Sequence, residues 1–434
     1  MCAATTRTSL AQLTAVIQRV PMTQRWVYVD EALLRSAASG RPLVRGRRGQ
    51  RLFVLLAMAD AIGCGWLLLW TLALLQFCQF RIRLLLRHRS FARLPGTACP
   101  QRLFVGFGAG AEELLFEEFV AENSEACLRL NHTAPTSFSD VMQPAFFEHW
   151  GALRRSFASA RTAMSTLPTE LLPLRQDVLR SIGTRVCDYA WFCSWFALFR
   201  KQVATSRSQL VFLTPDLAAY AAIGSGLPCE FRQHGLLYHL PLPDFSSVVA
   251  LTSEEARWFT SRLPDAAVIT RATQPRFQPE TLHGPTVILS IYGAEQYLSL
   301  ILPFLHWAQE RMLDLLVRPH PRESHDFWQR HGAGSTLQIE VKKESFAAVL
   351  DRLHPRLLVS WYSTTLAEAL HAGIIPVSIC PLDDHNVADM VYPLFSKALQ
   401  WPRDAVTIEK VLSDDSAYRQ VLQVLTEGGV LPSP

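Results

Sequence analysis

Short apolar segments that alternate with helical segments are the feature that most restricts the fold of this 434-residue chain. Strands that alternate with helices favour a parallel, doubly wound sheet, so the sequence predicts an α/β protein. The predicted strands lie at residues 102–107, 210–213, 229–232, 248–251, 268–270, 287–291, 313–317, 337–341, 356–360 and 374–379. The predicted helices include residues 140–205, with breaks at Pro168 and Pro173, and residues 295–311, 344–353 and 364–372.

The strands and helices form two series, which we interpret as two domains. Residues 272–285 separate the series and contain three prolines, two glutamines and no periodicity, as expected of a linker. We predict an N-terminal Rossmann-like domain over residues 100–271 and a C-terminal one over residues 286–425. Two such domains are expected to face a cleft between the carboxyl ends of their strands, which is the arrangement of the GT-B fold.

The N-terminal segment, residues 1–95, is basic and contains a hydrophobic stretch. Residues 52–80 include a single charged side chain, Asp60, and arginines lie on both sides of this stretch. Basic residues at both ends disfavour a bilayer span and favour a helical appendage that lies in, or dips into, an anionic membrane surface. The alternative is a long helix packed against the remainder of the protein.

Two motifs in the second domain predict a phosphate site. Arg318-Pro319-His320-Pro321 directly follows the strand at 313–317, and Ser363-Thr364-Thr365 joins the strand at 356–360 to a helix that carries Glu368. Free N–H groups and the positive end of the dipole make a helix N-terminus an anion site. His320, held between prolines, could stabilise or protonate a leaving phosphate. The alternatives are that the hydroxyls are simple helix caps and that His320 is a turn residue in solvent.

The first domain offers two candidates for a general base. Gln233-His234-Gly235 follows the strand at 229–232, and His234 has an ordinary pKa near working pH. Glu112 follows the loop that contains Gly108 and Gly110. His234 is alternatively a structural residue beside a glycine turn, and Glu112 alternatively complements the dipole of a helix N-terminus. The glycine loop lacks the full dinucleotide fingerprint, so we predict no NAD site.

Absent motifs and composition exclude several kinds of function. We find no Asp-x-Asp metal motif, no phosphate-binding Gly-x-x-x-x-Gly-Lys-Ser/Thr loop and no Gly-x-Ser-x-Gly nucleophile elbow. The nine cysteines are scattered without zinc spacing, and a net charge of +4 is too small to indicate a nucleic-acid partner. We therefore predict a mechanism without metal or cofactor.

The order of these motifs resembles that of bacterial GT-B glycosyltransferases of the capsule and lipooligosaccharide type. Over roughly residues 205–390, Gln233-His234-Gly235, Arg318-Pro319-His320-Pro321 and Ser363-Thr364-Thr365 are similar to motifs of the sialyl-, polysialyl- and Kdo-transferases, which use CMP-sugars. The resemblance implies that His320 contacts or protonates the leaving CMP phosphate and that Ser363 and Thr364 bind it. The family's acidic base motif ends in glycine, whereas Leu114 follows Glu112 and Glu113 here.

The resemblance implies a transferase at the cytoplasmic face of a bacterial inner membrane. Its partners would be a nucleotide-sugar donor and a glycan or glycolipid acceptor, and the sugar would be sialic acid or Kdo. Arg318 and Thr365 would join the phosphate site, Glu368 would contact the ribose or base, and Gly108, Gly110 and Gln233 would line the acceptor side. The alternatives are a CDP-glycerol-dependent glycerophosphotransferase with His234 as the base, and an inactive membrane-tethered scaffold.

Overall fold

The chain forms two compact units. One comprises Met1–Gln233, His239–Ala250 and Ala256–Ile269, and the other comprises His234–Tyr238, Leu251–Glu255 and Thr270–Pro434. The computed structural model describes residues 10–30, 33–34, 46–87, 102–106, 116, 119–121, 127–131, 138–139, 141–202, 209–233, 237–238, 241–250, 253–270, 287–291, 298–319, 325–332, 337–340, 346–360, 364–379, 391–392 and 398–427.

The first unit is rich in helices. They are α1 (Leu10–Gln18), α2 (Met22–Arg25), α3 (Gly46–Ala61), α4 (Gly65–Arg87), α5 (Phe146–Ser165), α6 (Arg175–Gln202), α7 (Leu217–Gly224) and the greater part of α8 (Ser253–Arg262). A 3-10 segment, Thr169–Leu174, separates α5 from α6, and Pro168 and Pro173 lie where the sequence predicts the break. Asp216 caps the start of α7, because its carboxylate accepts hydrogen bonds from the N–H groups of Ala218 and Ala219.

Six strands form the sheet of the first unit. They are β1 (Arg102–Gly106), β2 (Cys127–Asn131), β3 (Gln209–Phe212), β4 (Cys229–Arg232), β6 (Ser247–Ala250) and β7 (Ala267–Thr270), and β5 (Leu237–Tyr238) lies outside this sheet. Their order is β2-β1-β3-β4-β6-β7, and the pairs from β2 to β6 are parallel. The order changes direction between β1 and β3, so the switch point of this sheet lies there.

The long helix α6 covers this sheet with aromatic side chains. Trp195 and Phe196 are fully buried, and the ring of Phe196 lies 6.2 Å from that of Phe212 on β3. The indole N–H of Trp195 donates to the carbonyl of Phe138 over 2.8 Å, so this buried polar atom is satisfied. These contacts connect α6 firmly to the sheet.

Residues before α3 also belong to the core of the first unit. Trp26 is buried and stacks on Tyr189 of α6, with ring centroids 4.2 Å apart. The buried guanidinium of Arg25 donates to the carbonyl of Leu242 and to the carboxylate of Asp244. The segment around Arg25 and Trp26 is thus held by both apolar and charged contacts.

Helices α3 and α4 form a hairpin that packs on α6. The turn between them places Gly63 at φ 77°, a conformation that favours glycine. Asp60 is the single charged residue of the predicted apolar stretch, and it faces the protein. Its carboxylate accepts bonds from Arg175 over 2.9 and 3.2 Å and from Gln176 over 3.2 Å. The hydrogen bond from Arg175 holds the pKa of Asp60 below its usual value.

The close approach of α4 to α6 depends on Gly183. A Cβ atom at this position would lie 2.9 Å from a side-chain carbon of Leu69, so a larger residue would push the helices apart. The side chain of Gln76 on α4 donates to the carbonyl of Gly183 over 3.0 Å. Both contacts fix the rotation of α4 on the protein.

By length and composition, one helix among the described residues could cross a bilayer. It is α4, over residues Gly65–Leu86, with a mean hydropathy of 1.3 in its most apolar window. A single helix of this kind is weak evidence, because the core helix of a soluble protein passes the same test. The membrane association predicted from the sequence therefore stays a prediction at this point.

The second unit contains a second parallel sheet. Its strands are β8 (Val287–Leu289), β9 (Leu315–Val317), β10 (Leu337–Ile339), β11 (Leu357–Ser360), β12 (Ile375–Ser378) and β14 (Leu399–Gln400). The order is β10-β9-β8-β11-β12-β14, with all five pairs parallel. Its helices are α9 (Leu298–Glu310), α10 (His325–Gly332), α11 (Phe346–Leu353), α12 (Thr364–His371), α13 (Ala405–Ser413) and α14 (Asp415–Glu427).

Both faces of the second sheet are buried. Along β8, Val287 and Leu289 belong to one apolar cluster and Ile288 to another, and alternate residues of β9 and β11 divide in the same way. Strands buried on both faces need continuous apolar runs, which is the pattern that predicts them from the sequence.

The predicted fold class is confirmed, with local differences. Strand β9 begins at Leu315 and not at residue 313, because Met312 takes φ 50° and the N–H of Leu313 bonds back to Ala308 to close the end of α9. Strands β2 and β14 were not predicted, and neither was the antiparallel pair of β5 with β13 (Val391–Tyr392). The sequence nevertheless predicts correctly two Rossmann-like doubly wound parallel sheets, as in GT-B proteins. It also predicts correctly that helices precede the first strand of the first sheet.

A buried histidine joins the hairpin to α5. His149 is fully buried, and its ring centroid lies 4.6 Å from that of Phe77 on α4 and 5.2 Å from that of Trp191 on α6. Burial is the main cause that lowers the pKa of His149 from 6.5 to about 3, and the charge of Arg81 contributes to this shift. The folded protein therefore holds this imidazole neutral.

This histidine predicts an acid-dependent loss of stability. Between about pH 6.5 and about pH 3 the unfolded chain binds a proton that the folded chain does not, so the free energy of unfolding should fall as the pH falls through this window. Urea unfolding across this range should show a shallower pH dependence for His149→Phe, by up to about 1.4 kcal/mol per pH unit. His306→Gln, which removes an exposed imidazole on α9, is the control and should keep the dependence of the natural chain. An equal slope for both variants would contradict the prediction.

Candidate functional site

The carboxyl edge of the second sheet holds the best-described candidate residues. Strand β8 is the first strand of this sheet in the sequence, with β9 and β10 on one side and β11, β12 and β14 on the other. The direction of winding therefore changes between β8 and β11. In open α/β sheets ligands bind at this switch point, outside the carboxyl ends of the strands.

Backbone hydrogen bonds bring three strand ends together there. The N–H of Arg318, directly after β9, donates to Leu289 of β8 over 2.9 Å, and the N–H of Ser290 donates to Val359 of β11 over 2.9 Å. Ser360, the last residue of β11, follows Val359. Arg318, Ser290 and Ser360 thus lie on three adjacent strands at one edge.

Ser360 joins the two strands of the switch point through its side chain. The residue is fully buried, and its hydroxyl donates to the carbonyl of Ser290. This bond fixes β11 against β8 at the position where the chain leaves the sheet for α12. Ser360 therefore has a positioning role.

Helix α12 begins at the switch point. Only residues 361–363 separate Ser360 from Thr364, the first residue of the helix, so the helix N-terminus lies beside the carboxyl end of β11. Thr365 and Glu368 are half-buried on this eight-residue helix. The first N–H groups of a helix have no partner within it and attract anions.

Arg318 brings a positive charge to the same edge. Its side chain is half-buried, and its guanidinium carbon lies 5.0 Å from the centre of the Phe346 ring on α11. Arginine stacks well on aromatic faces while keeping its N–H groups available around the ring plane. The position of Arg318 is therefore defined by packing as well as by its backbone.

An ion pair between Glu340 and Arg352 lies on the strand side next to Arg318. The N–H of Glu340, which follows β10, donates to Val317 over 2.8 Å. The Glu340 carboxylate, 8% exposed, pairs with Arg352 of α11 over 2.7 Å. Arg352 thus balances the negative charge of Glu340 beside β9, the strand that Arg318 follows.

The first sheet presents a separate group of candidates. Gln233 directly follows β4, is buried, and donates its backbone N–H to Val249 over 3.0 Å. The preceding residue, Arg232, pairs with Glu230 and lies 5.9 Å over the ring of Phe119. Gln233 therefore lies at a carboxyl strand end, as predicted.

The predicted site residues divide into two groups. Arg318 follows the carboxyl end of β9, and Thr364, Thr365 and Glu368 lie on the helix that follows β11 in the same sheet, whereas Gln233 follows β4 of the first sheet. His320, Ser363, His234, Glu112, Gly108 and Gly110 lie outside the described residues, so their roles stay predictions.

Ser290, Ser360 and Glu340 were not among the predicted site residues. Each ends or follows a strand that the sequence predicts, which is the signal that could have found them. Their roles depend on strand order, however, and a single sequence does not contain that order.

No group of three or more histidine, cysteine, aspartate or glutamate side chains that could hold a metal ion occurs among the residues that the structure describes. The metal-independent mechanism remains a prediction from the sequence motifs.

No protein-family model matches the chain, and no curated protein matches its sequence. Among solved structures, a UDP-GlcNAc 2-epimerase of Methanocaldococcus jannaschii in complex with UDP-GlcNAc and UDP is similar, at 9% identity over 75% of this chain and 99% of that chain, with a TM-score of 0.40. The S. aureus MnaA–UDP co-structure gives 10% identity, 76% and 92% coverage, and a TM-score of 0.44. The structure of accessory secretory protein 1, 2 and 3 of Streptococcus pneumoniae is similar at 11% identity over 55% of this chain and 53% of that chain, with a TM-score of 0.35. At these values the similarity assigns no activity to this chain.

The bond between Ser360 and Ser290 predicts a measurable contribution to stability. Ser360→Ala removes a buried donor and should lower the free energy of unfolding by about 1 kcal/mol. Denaturant unfolding followed by tryptophan fluorescence measures the change. Ser413→Ala is the matched control, because this exposed serine of α13 bonds only to carbonyls of its own helix, and it should change stability by less than about 0.5 kcal/mol. Equal effects of the two variants would contradict the role given to Ser360.

Proposed function

We propose that the chain is a glycosyltransferase that transfers a sugar from a nucleotide-sugar donor without a metal ion. The observation that carries this proposal is that Arg318, which follows β9, and the N-terminus of α12, which follows β11, lie at the same carboxyl edge of the second sheet. A guanidinium and a helix N-terminus at one strand edge form an arrangement suited to a phosphate group. The proposed donor is a CMP-sugar of sialic acid or Kdo, by the resemblance of the motifs.

The second unit would bind the nucleotide. Arg318 would contact the phosphate, together with the hydroxyls of Ser363, Thr364 and Thr365 and the N–H groups of α12. Glu368, one turn into α12, would accept hydrogen bonds from the ribose or base. The positive charges of the protein would thereby stabilise the leaving phosphate.

In the proposed reaction the oxygen of an acceptor hydroxyl attacks the anomeric carbon of the donor sugar. The bond from that carbon to the phosphate oxygen breaks, and CMP leaves with the electron pair. His320 would donate a proton or a hydrogen bond to the departing phosphate. The proton of the acceptor hydroxyl would pass to Glu112 or to His234, and Gln233, Gly108 and Gly110 would line the acceptor side.

The placement of Gln233 favours one alternative. Gln233 lies at the carboxyl end of β4, a position typical of functional groups, and His234 is the next residue in the sequence. A histidine base combined with a His-Pro motif also fits a glycerophosphotransferase that uses CDP-glycerol. In that reaction the acceptor oxygen would attack the β-phosphorus, and CMP would again leave.

The donor is tested by nucleotide binding. CMP at about 100 times its dissociation constant should stabilise the protein by about 2.7 kcal/mol, measured as a thermal shift, and CDP, UDP and GDP should stabilise it less. Arg318→Gln should weaken CMP binding about 10- to 100-fold, because it removes a charge-assisted contact to phosphate. Arg419→Gln, at an exposed position on α14, is the control and should bind like the natural chain. A preference for UDP or UDP-GlcNAc would overturn the choice of donor.

The reaction is tested at His320. His320→Ala should lower the rate of CMP release from CMP-sialic acid or CMP-Kdo, with a lipooligosaccharide acceptor, by more than about 100-fold. CMP binding in the thermal-shift assay should change much less, because the group acts on the leaving phosphate. The exposed His306→Ala on α9 is the control and should keep full activity. Glycerophosphate transfer from CDP-glycerol by the natural chain would favour the alternative enzyme, and CMP binding without turnover of any donor would favour a scaffold.

A further inference from the structure

Helix α4 differs from an ordinary surface helix because its outer side is apolar as well as its buried side. Its polar side chains Gln76 and Arg81 point into the protein, where they donate to the carbonyls of Gly183 and Pro144 over 3.0 and 3.1 Å. Leu67 and Leu75 on its outer side are 67% and 63% exposed. Surface helices usually place apolar residues inward and polar residues outward.

The outer side of α4 offers water few polar groups. Its exposed residues are Leu67, Thr71, Leu75, Cys78, Gln79, Ile82, Arg83, Leu85 and Leu86. The hydroxyl of Thr71 donates to the carbonyl of Leu67 over 2.9 Å, so this group is already satisfied. Apart from Gln79 and Arg83, the outer side is therefore an apolar stripe along the helix.

Helix α3 extends this stripe. Val54, Leu55, Met58 and Ile62 are 54%, 55%, 63% and 75% exposed. Because α3 and α4 both pack on α6, their exposed sides lie away from the protein core. We call the surface formed by Val54, Leu55, Met58, Ile62, Leu67, Leu75, Ile82, Leu85 and Leu86 the apolar face. Neighbouring exposed apolar residues of this number mark an interaction surface.

The charges of the hairpin indicate the occupant. Arginines 47, 48 and 51 lie in the first turns of α3, and arginines 81, 83 and 87 lie in the last turns of α4, so both groups are at the open end of the hairpin. Residues 46–87 contain one acidic residue, Asp60, which is paired with Arg175. Arg51 and Arg83 are exposed. An apolar face beside a purely basic end complements anionic lipid, whereas a second copy of the chain would bring like charges together.

Aromatic side chains border the apolar face. The ring of Phe146 packs on Phe77 of α4 at 5.3 Å and lies 5.7 Å from the guanidinium carbon of Arg81. The next residue, Phe147, is 81% exposed. Aromatic side chains are favoured at the boundary between lipid headgroups and acyl chains.

We propose that the apolar face binds an anionic lipid bilayer and that the hairpin lies in the plane of the membrane surface. The leucine, isoleucine, valine and methionine side chains would enter the outer acyl region, and Arg51 and Arg83 would contact lipid phosphates. The hairpin does not cross the bilayer, because the opposite side of α4 is held on α6 at Gln76 and Gly183 and on the carbonyl of Pro144, before α5, by Arg81. This inference is independent of the proposed transferase activity, since it concerns lipid binding alone.

Vesicle flotation with the full chain tests the inference. The natural chain should float with vesicles of phosphatidylcholine and phosphatidylglycerol, and less with phosphatidylcholine alone. Leu75→Glu/Ile82→Glu should lower partition onto the anionic vesicles by about tenfold or more, because carboxylates would enter the acyl region. Arg51→Gln and Arg83→Gln should each lower it about fivefold, and only on anionic vesicles.

Matched controls separate lipid binding from misfolding. Val406→Glu changes a residue that is 66% exposed on α13 of the second unit, and it should float like the natural chain. Far-ultraviolet circular dichroism and the melting temperature should be unchanged in all variants, because every altered side chain is exposed. Failure of the natural chain to bind anionic vesicles, or undiminished binding by Leu75→Glu/Ile82→Glu, would overturn the inference. A dimer of the natural chain that this double variant converts to monomer would show that a second copy covers the face instead.

Discussion

The parallel hydrogen-bond ladder is the constraint on which the organisation of both units depends. Parallel neighbours end on the same side of a sheet, so residues far apart in sequence leave it at a common edge. In the second unit the ladder brings Arg318, Ser290 and Ser360 into adjacent positions, although 70 residues separate the two serines. The strand order then decides which of these edge positions flank the switch point. In the proposed function, the helix dipole and the arginine charge would act on one ligand because parallel strands place both at the same edge of the sheet.

Burial explains why most of this architecture is predictable from the sequence. Strands covered on both faces need apolar runs, and β8, β9 and the first three residues of β11 have them. Strands at or near a sheet edge lack this signal. Strand β2 carries Arg129 and is mostly half-buried, and β14 is two residues long. The start of β9 was also missed, because the left-handed residue Met312 belongs to the end of α9, and an apolar leucine follows it within that turn.

The candidate site is predictable to a smaller extent. Arg318 and Gln233 were found because a polar residue directly after a buried strand has few structural reasons to be there, and Thr364 because it begins the helix after such a strand. Ser290 and Ser360 belong to the same pattern, but their hydrogen bond depends on β8 and β11 being neighbours, which only the fold determines. The hairpin is a further case. The sequence offers a buried helix and a membrane-bound helix as alternatives, whereas α4 has one buried side and one apolar exposed side.

The tight contact at Gly183 has a consequence for orientation. The side chain of Leu69 fits against α6 only because no Cβ atom is present there, and α6 is in turn fastened to the first sheet through Phe196 and Phe212. The hairpin is therefore packed rigidly on the first unit and is not a flexible linker to it. If the outer side of the hairpin binds a surface, the first sheet is held at a fixed angle to that surface. The orientation of Gln233 and the carboxyl end of β4 relative to the surface is then fixed as well.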